Sequence, residues 1–69
     1  MVAGVVVGQQ WAMFNSARRQ WLLARIVRLE NGRATLKYDP RYDIEPPDNV
    51  CDVDALSLPS TPMQFRLVE

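Results

Sequence analysis

An Asn-Gly pair at positions 31 and 32 separates two apolar runs, "WLLARIVRLE" and "RATLKYD", and no other feature constrains the fold of this chain as strongly. Asn and Gly both accept positive φ. Between strands they favour a two-residue turn whose twist matches that of its flanks, so the pair signals a hairpin. The second run alternates, with Ala34, Leu36 and Tyr38 on one side and Arg33, Thr35 and Lys37 on the other, the period of a half-buried strand. The first run is ambiguous taken alone, because its leucines and arginines also fit one face of a helix. It is short, holds the β-branched Ile26 and Val27, and ends at the turn. Residues 21–29 and 33–39 are therefore expected to form an antiparallel hairpin.

The flanking segments point the same way. In "QQWAMFN" the alternation of Trp11 and Met13 suggests a further strand, with Gly8 opening the domain and "SARRQ" forming a polar loop. Ahead of Gly8, residues 1–7 are either a frayed terminus or an extra strand around Val5–Val7. Residues 8–69 then make a single domain. Pro40, Pro46 and Pro47 break regular structure, so 40–48 is a loop, and long loops in compact domains are disproportionately functional. "NVCDVDALSL" reads as a short strand running into a turn. Pro59 and Pro62 suit one tight 3₁₀ turn, and "QFRLV" closes the chain with Phe65 and Leu67 on one face. Proline and glycine leave no room for a helix beyond about two turns, so the expected fold is all-β, five or six short strands closed into a small barrel that removes exposed edges.

Length and charge narrow the function classes. A chain of 69 residues is one domain. A domain of this size buries only about 60% of the surface its unfolded form exposes. Formal charge is zero, which gives no global pull toward nucleic acid or membrane. No apolar run approaches the roughly 20 residues that cross a bilayer, and "MVAGVVVG" lacks the basic start of a signal peptide. The single Cys51 excludes an internal disulfide framework, fits an intracellular, reducing compartment, and reads as a small filler at the core edge beside Val50 and Val53. The charges are nevertheless segregated. From Arg18 to Lys37 there are six bases and one acid, whereas from Asp39 to Asp54 there are six acids and one base. These are either solvated loops on two sides of a small domain or the halves of a polarised module whose acidic rim attracts a basic partner.

Catalytic chemistry is poorly provided for. Histidine, the commonest general base and metal ligand, is absent. One cysteine without a histidine is a poor nucleophile. The three glycines are too dispersed for a phosphate loop, and the acids lack the spacing of a calcium loop. A domain this small offers no cleft deep enough to split the pKa values of two carboxylates. No catalytic site, metal or cofactor is expected.

Six aromatic residues remain: Trp11, Phe14, Trp21, Tyr38, Tyr42 and Phe65. Trp11 and Phe65 are expected in the core. Tyr38 and Tyr42 straddle Pro40, each followed by a carboxylate, Asp39 and Asp43. They either cap the barrel end with their hydroxyls in water or present their faces to a cation.

Gly8, Trp11 with Met13, "WLLARIVRLENGRATLKYD", the acidic loop and "VDALSL" together resemble the Tudor and Agenet-like domains of the chromatin-reader (Royal) superfamily. Trp21, Ala24, Ile26, Leu29, Gly32, Leu36, Tyr38, Asp39 and Leu56 match that pattern, over residues 8 to 58. The resemblance implies an SH3-like, Tudor-like five-stranded barrel and a methyl-lysine or methyl-arginine site. Such a site would draw on Tyr38 and Tyr42, with Asp39 or Asp43 meeting the cation and Phe14 or Asn15 supplied by the first strand. Two departures stand out: Leu22 follows Trp21 where the family has an aromatic residue, and the tyrosines are four apart, one more than usual. The expected function is a non-enzymatic module that binds a basic peptide, methylated or not, across Phe14, Trp21, Leu22, Tyr38, Asp39, Tyr42 and Asp43. Three alternatives stay open. One is a self-associating barrel with a site between chains, as in the plasmid-borne trimethoprim-resistant dihydrofolate reductases, although their "V-Q-I-Y" strand is missing. Another is nucleic-acid binding through Arg18, Arg19, Arg25, Arg28, Arg33 and Lys37, which zero net charge opposes. The last is a structural interaction domain with no ligand pocket.

Overall fold

The structure, a computed structural model, describes residues 4–68. It is all-β, with strands β1 (Gln10–Asn15), β2 (Gln20–Glu30), β3 (Arg33–Tyr38), β4 (Val50–Asp54) and β5 (Phe65–Leu67), and a one-turn helix α1 (Ser57–Ser60) between the last two. The hairpin expected at residues 21–39 is present. Asn31 and Gly32 both take positive φ, 53° and 76°, and Glu30 faces Arg33 across the turn. The β1–β2 loop closes similarly: Arg19 adopts φ 53°, and the Asn15 side chain accepts the Arg18 N–H at 2.9 Å.

The strands form one antiparallel sheet in the order β4-β3-β2-β1-β5. It does not close, which corrects the expectation of a small barrel whose closure removes exposed edges. β4 and β5 are its two edges. β5 has only three residues, and α1 packs against both edge strands. Helix α1 also replaces the 3₁₀ turn expected before the last strand: the Thr61 N–H donates to the Ser57 carbonyl at 3.1 Å, and Pro59 lies in the first turn, where its missing N–H costs nothing. The 3₁₀ turn of this protein is at Pro40–Tyr42, inside the expected loop.

Alternation decides which side chains enter the core. Trp11 and Met13 of β1 face Ala24 and Leu22 of β2, so the large indole meets a small residue while Met13 packs opposite a leucine. Ile26 of β2, Ala34 and Leu36 of β3, Val5, Ala55 and Leu58 complete the buried set among the described residues, with Phe65, Tyr38 and Cys51 packed against it. In "VDALSL" it is Leu58 that is fully buried, whereas the motif residue Leu56 is 60% exposed. Strand β2 carries a bulge between Ile26 and Arg28, which leaves Val27 outward and returns Leu29 to the inner side opposite Ala34.

Ahead of Gly8, residues 4–7 are folded but form no strand. Val5 is buried, and Gln9 fastens the segment. Its side-chain carbonyl accepts both the Val6 N–H at 3.0 Å and the Trp11 indole N–H at 3.2 Å, while its amide donates to the Gly4 carbonyl at 2.6 Å. Residues 1–3 of the expected N-terminal segment lie outside the described residues.

Candidate ligand surfaces

Strand β3 ends at Tyr38 because Pro40 follows. The chain then turns under a local cap: the Asp39 carboxylate accepts the Arg41 N–H at 2.9 Å and pairs with the Arg41 guanidinium at 3.1 Å. These two contacts, the backbone one foremost, hold the Asp39 carboxyl below its ordinary pKa. Asp43 ends the turn in the left-handed region at φ 53°, its N–H donating to the Pro40 carbonyl. Where β3 has turned away, β2 still has backbone groups to satisfy. The Asp39 N–H donates to the Leu23 carbonyl at 3.0 Å, and the Leu23 N–H donates to the Tyr42 hydroxyl oxygen at 2.8 Å. Tyr42 thus completes the hydrogen bonding of β2 beyond the end of β3.

Tyr38 faces the other way. It alternates inward with Ala34 and Leu36 and reaches Cys51. Burial, and secondarily Cys51, pushes its hydroxyl up to about 12, while burial also raises the Cys51 thiol. Tyr38 and Tyr42 make no ring contact, and neither hollow lined by Tyr38 beside Pro40 is also lined by Tyr42, so the two tyrosines do not line a common pocket there. Instead two shallow hollows flank the Tyr38–Pro40 ridge. One is about 240 Å³ and includes Arg25, Val27 and Lys37, and the other is about 270 Å³ and includes Asp43, Ile44 and Asn49. Leu22 requires a correction outright. It is 0% exposed, because alternation from the outward Trp21 turns it into the core, and it cannot touch a surface ligand.

The aromatic pair that does assemble is Phe14 with Trp21. They are cross-strand partners on β1 and β2, with ring centroids 5.5 Å apart and planes at 68°. Such an edge-to-face arrangement suits the ring quadrupoles. Phe14 is 43% exposed. Over the Trp21 ring lies the guanidinium of Arg66, 4.4 Å from the centroid and delivered by β5, whose Arg66 pairs with Ala12. Arg66 was not among the residues singled out by sequence. Its outward position between Phe65 and Leu67 follows from alternation, but its nearness to Trp21 depends on β5 pairing with β1.

Charge is organised strand by strand. Arg25 and Lys37 are direct partners on β2 and β3, and Arg28 and Arg33 lie further along the same strands. Next to them, exposed Asp52 and Asp54 of β4 face Thr35 and Arg33, with the Thr35 hydroxyl donating to Asp52 at 2.5 Å. Among the described residues no three acidic or cysteine side chains gather as a metal site, and no helix is long and apolar enough to cross a membrane. A larger hollow of about 450 Å³ lies at the hairpin-turn end, between Val5–Val7 and Leu29, Asn31 and Ala55.

No family model, curated protein or solved structure matches this chain.

Proposed function

We propose that this chain is an SH3-like module of the Tudor and Agenet kind that binds a basic segment of a partner protein and catalyses no reaction. The strand order, with a single turn of helix leading into the last short strand, supports the fold reading. The observation that carries the functional reading is the guanidinium of Arg66 on the face of Trp21. A half-buried indole with a second ring at its edge attracts a cation to its open face, and a planar guanidinium stacks on it better than a compact ammonium does. Arg66 occupies the position that a partner's arginine, methylated or not, would take. On this reading Phe14 and Trp21 form the recognition centre, and Tyr38, Asp39, Tyr42 and Asp43 shape the neighbouring rim rather than a cage.

The test is a nuclear magnetic resonance titration of the chain with an arginine-rich peptide, followed at the aromatic resonances. Phe14 and Trp21 should shift together, and Trp21→Ala should remove the peptide-induced shift at Phe14 and weaken binding while the backbone spectrum stays dispersed. Undiminished binding by the folded Trp21→Ala variant would remove the proposal.

A further inference from the structure

We infer that the free edge of β4 takes an extended, basic segment of a partner protein as a sixth strand. Hydrogen bonds at both ends of β4 fix which of its backbone groups have no strand partner among the described residues. The Tyr38 N–H donates to the Asn49 carbonyl at 2.9 Å, and the Ala55 N–H to the Gly32 carbonyl at 2.9 Å. In an antiparallel ladder the bonded pairs alternate, so Cys51 and Val53 also bond toward β3. The N–H and C=O groups of Val50, Asp52 and Asp54 therefore face away from β3, on the side where the sheet ends. A row of this kind is a template for strand addition.

The side chains choose the occupant. Val50, Asp52 and Asp54 are all exposed and share one face. On that face Lys37, Thr35 and Arg33 of β3 stand opposite them, so the sheet runs from basic strand to acidic strand and then stops. A next strand with lysine or arginine at alternate positions would continue the charge alternation. A second copy of β4 would not: antiparallel self-pairing centred on Asp52 sets like charges directly opposite, which is destabilising. The acids that blunt the edge against its own kind thus select a basic segment. This site lies at the sheet edge away from β5 and is independent of the Trp21 face.

The experiment measures amide hydrogen exchange of the whole chain with a short synthetic peptide alternating lysine and valine, and with its glutamate–valine counterpart. The lysine peptide should slow exchange at Val50, Asp52 and Asp54, and Trp21→Ala should leave that protection intact. Asp52→Lys should weaken the lysine peptide by roughly two- to thirtyfold, the swing between a favourable and an unfavourable cross-strand charge pair, and should favour the glutamate peptide. Val50→Pro removes one edge-facing donor without touching the β3 ladder and should also weaken binding. The inference is overturned by unprotected edge amides, by equal affinity for the two peptides, or by full affinity in a folded Val50→Pro variant. Protection that grows with protein concentration in the absence of peptide would likewise overturn it, by assigning the edge to a second copy.

Discussion

Leu22→Ala separates two accounts of one residue. As part of a surface cage, Leu22 could be truncated with loss of binding and little loss of stability. As a core residue that is 0% exposed and faces Met13, it cannot. Truncating a buried leucine to alanine costs about 2–5 kcal/mol, from lost transfer energy and the cavity left behind. A single core in a domain of this size rarely supplies more than about 3–5 kcal/mol of net stability. The variant should therefore lose about 40% of its stability or more. With an m-value of about 1 kcal/mol/M for so small a chain, the urea midpoint should fall by about 2 M or more, if the variant folds at all. Circular dichroism through a urea series reads this directly. A Leu22→Ala protein with an unchanged midpoint and lost peptide binding would refute the reasoning. It would mean that β2 is displaced by one residue, since a slip of one moves every side chain to the other face.

Two further outcomes follow from the rim. Tyr42→Phe removes the acceptor for the partly buried Leu23 N–H and should cost about 0.5–1.5 kcal/mol, with faster exchange of the Leu23 amide; unchanged exchange there would contradict the assignment. Stability should also fall on the alkaline side. Cys51 and Tyr38 have pKa values raised by folding, so the unfolded chain ionises first. Their contribution is intact below the ordinary thiol value of 9.0 and is lost as pH rises past it and on through 10.0 to about 12, and Tyr38→Phe should flatten the upper part of that fall. Identical alkaline profiles for the two proteins in urea unfolding would contradict this.

The hairpin was legible because its signal is local. Asn31 and Gly32 have the positive φ that their chemistry allows, and β3 alternates without interruption. Strand β2 was harder to read for a physical reason. The bulge at Val27 resets the alternation, so its inward apolar residues fall at 22, 24, 26 and 29, a spacing that partly imitates a helix. The site was less legible than the fold. Motif position alone groups Leu22 with Trp21 and Tyr38 with Tyr42, whereas alternation separates the first pair and the turn at Pro40 separates the second. Arg66 lies 45 residues from Trp21 in the chain, and only the β1–β5 pairing brings it over the indole. Pairings between strands far apart in sequence are set by global topology and leave no local signature.

The affinity of an arginine-rich peptide for the Arg66→Ala protein, measured by calorimetry beside the unaltered chain, tests the recognition centre most directly. An exposed cation–π contact is worth about 0.5–1 kcal/mol, so removing the resident guanidinium should raise affinity about two- to fivefold, a gain that Trp21→Ala should erase. Equal or weaker binding by a folded Arg66→Ala protein would contradict the account and leave Arg66 as a packing element of β5 alone.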